Sequence, residues 1–485
     1  MSKRINRKEF IGVSAAAIAG TSSIQPVQAA AKGNNPITVE NAKAGTTAWQ
    51  PSNQAQAREI EGYANKTSVA HGESISFYVN TASATYTIDI YRLGWYGGLG
   101  GRLYSSVAAR AGIKQSIPVP NSTTGLCECK WKTPYTFTIP SGTSAWTSGI
   151  YLAKLTTKEG KQSHIPFVVR DDNRFVTYLF QSSVTTFQAY NAWGGKSLYD
   201  FNSTNGKRAY KVSFNRPYQG YGSGDLYNDW SGWELNTLRF LEREGYDVSY
   251  CTNIDNHANS NLFARCRSFL SVGHDEYWSM SQRNNVEYER NQGHHLAFLG
   301  ANAAYWQVRF EKASDGVANR TMVCYKDATL DPYNAKADTQ DFVTVQWRNG
   351  ASDRPEVELV GVQFDFWPVN ADMVVTNTNH WAFTGTGLVN GSILPGLVGY
   401  EADRVTERTP LNTVVLADSF VQTDTNQGYS NMTIYQHSSG AWVYATGSMQ
   451  WAWSLDSLFA GQSHPNLVNA SAQQIMRNVL DKFAI

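Results

Sequence analysis

Phe269-Leu270-Ser271-Val272-Gly273-His274-Asp275-Glu276-Tyr277-Trp278 decides the fold. Four apolar or small residues in a row read as a buried strand of a parallel sheet. The polar cluster that follows then stands at the carboxyl end of that strand, where open α/β sheets bind ligands. His274 and Glu276, two residues apart, are candidate site residues. The plainer alternative is a polar loop that caps a helix starting after Ser279.

The same alternation of strand and helix extends outward. Phe175–Phe180, Val248–Thr252 and His295–Gly300 read as further strands. Trp233–Gly245 has helical spacing at Leu235, Leu238 and Leu241, with Gly245 as its C-cap. This predicts a doubly wound parallel sheet. Strand-like alternation returns from Phe342 to Trp453 as a β-rich excursion, and Ala470–Phe483 closes the chain as an amphipathic helix. Upstream, residues 37–170 carry period-two runs (Ser74–Val79, Tyr86–Tyr91, Gly149–Leu155, His164–Val169) between Gly, Pro and Ser breaks. They predict an all-β sandwich of immunoglobulin-like size. Arg170-Asp171-Asp172-Asn173 marks the boundary, and residues 173–485 form the α/β unit. The glycine-rich Arg92–Gly98 is expected to be an ordered loop whose aromatics pack on the second domain or stack on a sugar.

At 485 residues the chain is long enough for two domains. A net charge of +1 gives no electrostatic footprint for nucleic acid or an anionic membrane. Residues 1–31 read as a signal peptide: a basic start, a weakly apolar Ile11–Ile18, and small residues at Ala29–Ala31. Asn6-Arg7-Lys8-Glu9-Phe10-Ile11 resembles a twin-arginine signal with Lys8 in the second arginine position. Export to the periplasm or medium is therefore expected. No other run approaches the ~18 apolar residues of a membrane span. The five cysteines are odd in number, and Cys251, Cys266 and Cys324 fall in or beside apolar runs that predict burial.

Four polar-aromatic clusters end predicted strands of the second domain: Ala189–Gly195, Ser213–Tyr218, His274–Tyr277 and Gly300–Trp306. A fifth, Val398–Asp403, comes late. Each alone is equally an ordinary turn with a packed aromatic. Together they resemble the catalytic large subunit of N,N-dimethylformamidase. The matching residues are Gln188–Gly195, Gly273–Trp278, Gly300–Asn302 and Gly399–Glu401, spread over about two-thirds of the chain from Thr177 onward.

That resemblance implies a β-sandwich ahead of an α/β domain like that of class I glutamine amidotransferases. It also implies a mononuclear non-haem iron held by two tyrosines and one glutamate. The glutamate maps to Glu276. The tyrosines map to Tyr190 and Tyr218, with Tyr199, Tyr221 and Tyr227 as competitors. Phenolate and carboxylate are hard oxygen ligands suited to Fe(III). His274 and Asn302 would stand near the substrate as hydrogen-bond donors, and Glu401 would be the general base. The implied activity is hydrolysis of a C–N bond in a small-molecule amide. The residues leave two other readings open: a hydrolase using Glu276 and His274 without a cofactor, and a non-catalytic glycan- or cell-wall-binding protein on an enzyme scaffold. For Asn302 the plainer role is a helix N-cap, for Glu401 a solvent-facing loop carboxylate, and for Tyr190 and Tyr218 core packing. Oligomeric state is left open, a homo-oligomer included.

Overall fold

The computed structural model describes residues 33–142, 145–219, 232–351 and 353–485. The expected signal segment, Tyr221 and Tyr227 lie outside the described residues. The architecture is mixed α/β with several sheets and few helices.

After a short capped helix α1 (Pro36–Asn41) come eight strands: β1 (Ile60–Ala64), β2 (Ser68–Ala70), β3 (Ser74–Thr81), β4 (Thr85–Leu93), β5 (Gly101–Ala111), β6 (Tyr135–Thr138), β7 (Gly149–Thr157) and β8 (Gln162–Arg170). They form a three-stranded sheet, β1-β3-β6, and a five-stranded sheet, β2-β8-β7-β4-β5. Period-two burial explains the pairing: Ile75, Phe77 and Val79 of one sheet meet Ile88, Ile90 and Tyr151 of the other in a shared apolar layer.

The second unit is built on β9 (Val176–Ser182), β11 (Val248–Thr252), β12 (Cys266–Val272) and β14 (His295–Leu299), with β10 (Lys211–Ser213) and β13 (Tyr277–Ser279) set aside in a smaller sheet. Strands β11, β9, β12 and β14 lie side by side and parallel. Helices α2 (Val184–Tyr190), α3 (Glu234–Arg243), α4 (Asn253–Ala258) and α5 (Met280–Asn291) run between them. Ser279 caps α5 by accepting the Gln282 N–H at 3.2 Å. Then follow β15 (Trp306–Glu311), β16 (Thr321–Val323), the long hairpin β17 (Gln363–Val374) and β18 (Ile393–Arg404), then β19 (Val414–Gln422), β20 (Gln427–Gln436) and β21 (Trp442–Ala445). Strand β21 returns to pair parallel with β14, so the excursion is stitched onto the main sheet. Helix α6 (Ala470–Phe483) closes the chain.

The two units share an interior. Ile37, Trp49, Tyr91, Leu93, Ile150 and Val168 belong to the same apolar cluster as Phe180, Leu235, Leu238, Leu241 and the inner face of α6. At its centre, Arg92 of β4 and Glu242 of α3 form an ion pair at 2.6 Å with both side chains fully buried. The loop after β4 packs as expected on the second unit: Arg239 stands 4.9 Å over the Trp95 ring, and Tyr96 is buried. All five cysteines are free and buried. Among the described residues, no helix is long and apolar enough to cross a membrane.

Candidate active site

Three adjacent parallel strands, β9, β12 and β14, deliver the site from their carboxyl ends. After β9, helix α2 ends in Tyr190. After β12 comes Gly273-His274-Asp275-Glu276. After β14 comes Gly300-Ala301-Asn302. Two of these loops touch backbone to backbone. A Cβ on Gly300 would lie 2.1 Å from the Gly273 carbonyl oxygen, so glycine is required there. The hairpin strand β18 brings Glu401 from far along the chain.

These elements converge on two carboxylates. His274 Nε2 lies 3.3 Å from Glu276 Oε2 and 3.1 Å from Glu401 Oε2. Asn302 Nδ2 donates to Glu401 Oε2 at 2.9 Å. Glu401 is only 4 % exposed and Asn302 3 %, which removes the solvent-facing reading of Glu401. Asn302 caps no helix, because Gly300–Trp306 leads directly into β15. Glu276 is anchored through its backbone N–H to Thr186 Oγ1 at 3.0 Å. Neighbouring Asp275 is tied beneath the loop by Asn253, Gln181 and Ser271 at 2.7–2.8 Å.

A cluster of phenols faces Glu276. Tyr199 donates to the Glu276 carboxylate, 3.0 Å from each oxygen. Tyr277 donates to the Tyr199 hydroxyl at 2.5 Å. Tyr190 stacks on Tyr199 with ring centroids 4.2 Å apart and hydrogen-bonds its hydroxyl. Among the described interactions, none joins Tyr218 to Glu276. The strand before Tyr218, β10, pairs with β16 in the separate sheet, and the loop after β10 lies against the end of β9, where Arg216 and Tyr218 line one cavity with Ser182 and Val184. Tyr218 hydrogen-bonds Gln188 near Arg216 and Arg320, and lines a cavity of about 510 Å³ at the seam of the two units. Buried Arg216 pins that loop to the carbonyls of Trp193, Lys196 and Asn191. Tyr199, one of the competing tyrosines, is thus the phenol that bonds Glu276 directly.

Lys326 escaped the sequence reading. Its Nζ sits 3.5 Å over the Tyr199 ring, 4.8 Å from that of Trp306 and 5.2 Å from that of Tyr277. Burial pushes its pKa down to about 8, against the pull of Glu276. The one sequence cue is a lysine directly after the apolar run Thr321–Tyr325. Burial likewise raises the Glu276 pKa, while the charges of His274 and Lys326 oppose the shift and Glu401 reinforces it. Burial and the Glu276 charge drive Tyr199 and Tyr277 well above the ordinary phenol range.

Among the described residues, no group of three or more His, Cys, Asp and Glu side chains is arranged to hold a metal ion. Phenols lie outside that donor set. Here one carboxylate and three clustered phenols make a buried set of hard oxygen donors, which fits a small, highly charged cation. Such a cation would oppose the burial and charge that raise the Tyr199 and Tyr277 pKa values.

A further buried acid borders the site. Glu234 at the start of α3 accepts from the Ser183 N–H at 2.6 Å and the Ser182 hydroxyl at 2.8 Å. Burial pushes its pKa up to about 8, with the Asp275 charge adding to the rise. The folded state therefore holds a proton that the unfolded chain releases near pH 4.5. This contribution to stability is complete below pH 4.5 and is lost as pH rises through about 8. Glu234→Gln should melt at a higher temperature relative to wild type at pH 9 than at pH 6; an unchanged difference between the two pH values would refute it.

Comparison with known proteins places the chain. A family profile described as N,N-dimethylformamidase beta subunit-like, C-terminal, matches residues 87–466. The match begins inside β4, well before Thr177. The N,N-dimethylformamidase beta subunit of Alcaligenes sp. is 23% identical over 437 residues, spanning 74% of this chain and 55% of that protein. The chain thus spans about half the length of that relative. Among solved structures, a Paenibacillus sp. cycloisomaltooligosaccharide glucanotransferase complexed with cycloisomaltoheptaose aligns at 13% identity over 58% of this chain and 35% of the other. Its TM-score is 0.15.

Proposed function

The chain belongs to the N,N-dimethylformamidase beta subunit-like family, and on that premise we propose that it is an exported hydrolase cleaving the C–N bond of a small amide at a mononuclear iron. The observation that carries this reading is the convergence of Glu276, Glu401, His274 and Asn302 within hydrogen-bonding reach, beside a phenol cluster. Glu276 with Tyr190 and Tyr199 would hold the metal; Tyr199 takes the role first read for Tyr218. When bound, Fe(III) supplies Lewis acidity toward the amide carbonyl and toward water.

The remaining roles fall to the chain. Water adds to the carbonyl carbon, and Glu401 accepts its proton and delivers it to the departing nitrogen as the C–N bond breaks. The products are a carboxylic acid and an amine. Asn302 Nδ2 and His274 Nε2 orient Glu401, and both can donate to negative charge developing on the carbonyl oxygen. Lys326 balances the Glu276 charge from within the aromatic cage. The glycan-binding alternative would want a line of exposed tryptophans. Among the described residues Trp367 is the only tryptophan in the exposed large apolar set.

The test is amine release from a panel of simple formamides and acetamides, N,N-dimethylformamide included, by protein expressed with ample iron. The expected result is turnover of at least one amide, lost on chelation and restored by iron. Absence of turnover on every amide tested would overturn the reading.

A further inference from the structure

Asp403 lies two residues beyond Glu401 on β18, so both side chains leave the same face of the strand. It is 2 % exposed. Its Oδ1 accepts the backbone N–H of Asn302 at 2.8 Å. Asn302 in turn donates its side-chain amide to Glu401 Oε2 at 2.9 Å. The path from Asp403 to the Asn302 backbone, through the Asn302 amide to Glu401 and back along the strand, is a closed ring.

The ring has a conformational reason. Asn302 has φ 56° and Ala304 φ 54°, both left-handed positions that residues other than glycine hold only when their surroundings impose them. Two contacts impose the turn: Ala304 N–H donates to Asp275 O at 2.9 Å, and Asn302 N–H donates to Asp403. Asp403 is itself held. Its N–H donates to Gly447 O at 2.9 Å, and a Cβ on Gly447 would meet Asn431 O at 2.1 Å. The side chain that fixes Asn302 is therefore part of a strand with little freedom to shift.

We propose that Asp403 is a positioning residue for the general base: by capturing the Asn302 N–H it fixes the turn after β14 and aims the Asn302 amide at Glu401. This rests on the reading of Glu401 as base given above. Asp403 touches neither the phenol cluster nor Glu276 in any contact described; besides its bond to the Asn302 N–H it interacts electrostatically with Glu401, Glu356 and Arg348.

Hydrogen exchange and a double-mutant cycle test it together. In Asp403→Ala, exchange at the Asn302 amide should rise by about tenfold or more, while β14 and α5 keep their protection. Iron content and visible absorption should not change. With an amide substrate, kcat should fall on the order of 10–100-fold with KM within a few-fold. Asp403→Asn, whose carboxamide oxygen can still accept, should recover most of both. Asn302→Ala combined with Asp403→Ala should be no slower than Asn302→Ala alone. Unchanged exchange at Asn302, or losses that multiply in the double variant, would overturn the proposal. Should Asp403→Ala fail to fold, Asp403→Ser is too short to reach the N–H and is read in the same way. If wild type hydrolyses no amide, the functional reading fails, and the exchange measurement still decides whether Asp403 holds Asn302.

Discussion

Glu401→Gln is expected to keep its metal and lose on the order of 10²–10⁴ in turnover, the usual contribution of general acid–base catalysis. The variant preserves shape and can still bond Asn302, which stands 2.9 Å away, but it has no basic oxygen. Glu276→Gln should behave differently. Glu276 is the carboxylate that Tyr199 contacts through both oxygens, so losing its charge should remove metal along with rate. Iron content and amine release, measured on both variants, separate the roles. Iron lost from Glu401→Gln but kept in Glu276→Gln would show that the two carboxylates have been assigned the wrong way round.

Arg92→Met is expected to be among the most destabilising single changes, at about 3–5 kcal/mol, because it strands a buried carboxylate. Glu242 would keep its bonds from Tyr250 at 2.7 Å and Asn41 at 2.8 Å, but its counter-charge would be gone. The double variant Arg92→Met/Glu242→Gln should recover a large part of the loss, since removing both charges removes the uncompensated one. Denaturant unfolding checks both. Because Arg92 and Glu242 join the two units through a shared apolar interior, wild type should unfold in one transition. A cost below about 1 kcal/mol for Arg92→Met would mean that the pair is not buried as described.

Much of this was legible in the chain itself. Val248–Thr252 and Ala470–Phe483 have the bounds their periodicity predicts. Gly273–Glu276 stands at a parallel strand end because the run before it is apolar on both faces. Other parts depend on pairing, which local pattern does not carry. Ser213–Tyr218 looks like the other strand ends, but β10 is paired outside the parallel sheet, and among the described interactions none joins Tyr218 to Glu276. Tyr199 lies in an irregular segment between two 3₁₀ turns, with no periodicity to place its ring against Glu276. Lys326 follows a strand too short to have signalled an end. The shared interior of the two units was also hidden, because apolar periodicity says which face is buried and not against what.

The most direct test of the central claim is metal analysis with visible absorption on protein expressed with ample iron. The account predicts one iron per chain and a phenolate-to-iron charge-transfer band that Tyr199→Phe weakens or shifts and Glu276→Gln abolishes. Colourless, iron-free wild-type protein would contradict it.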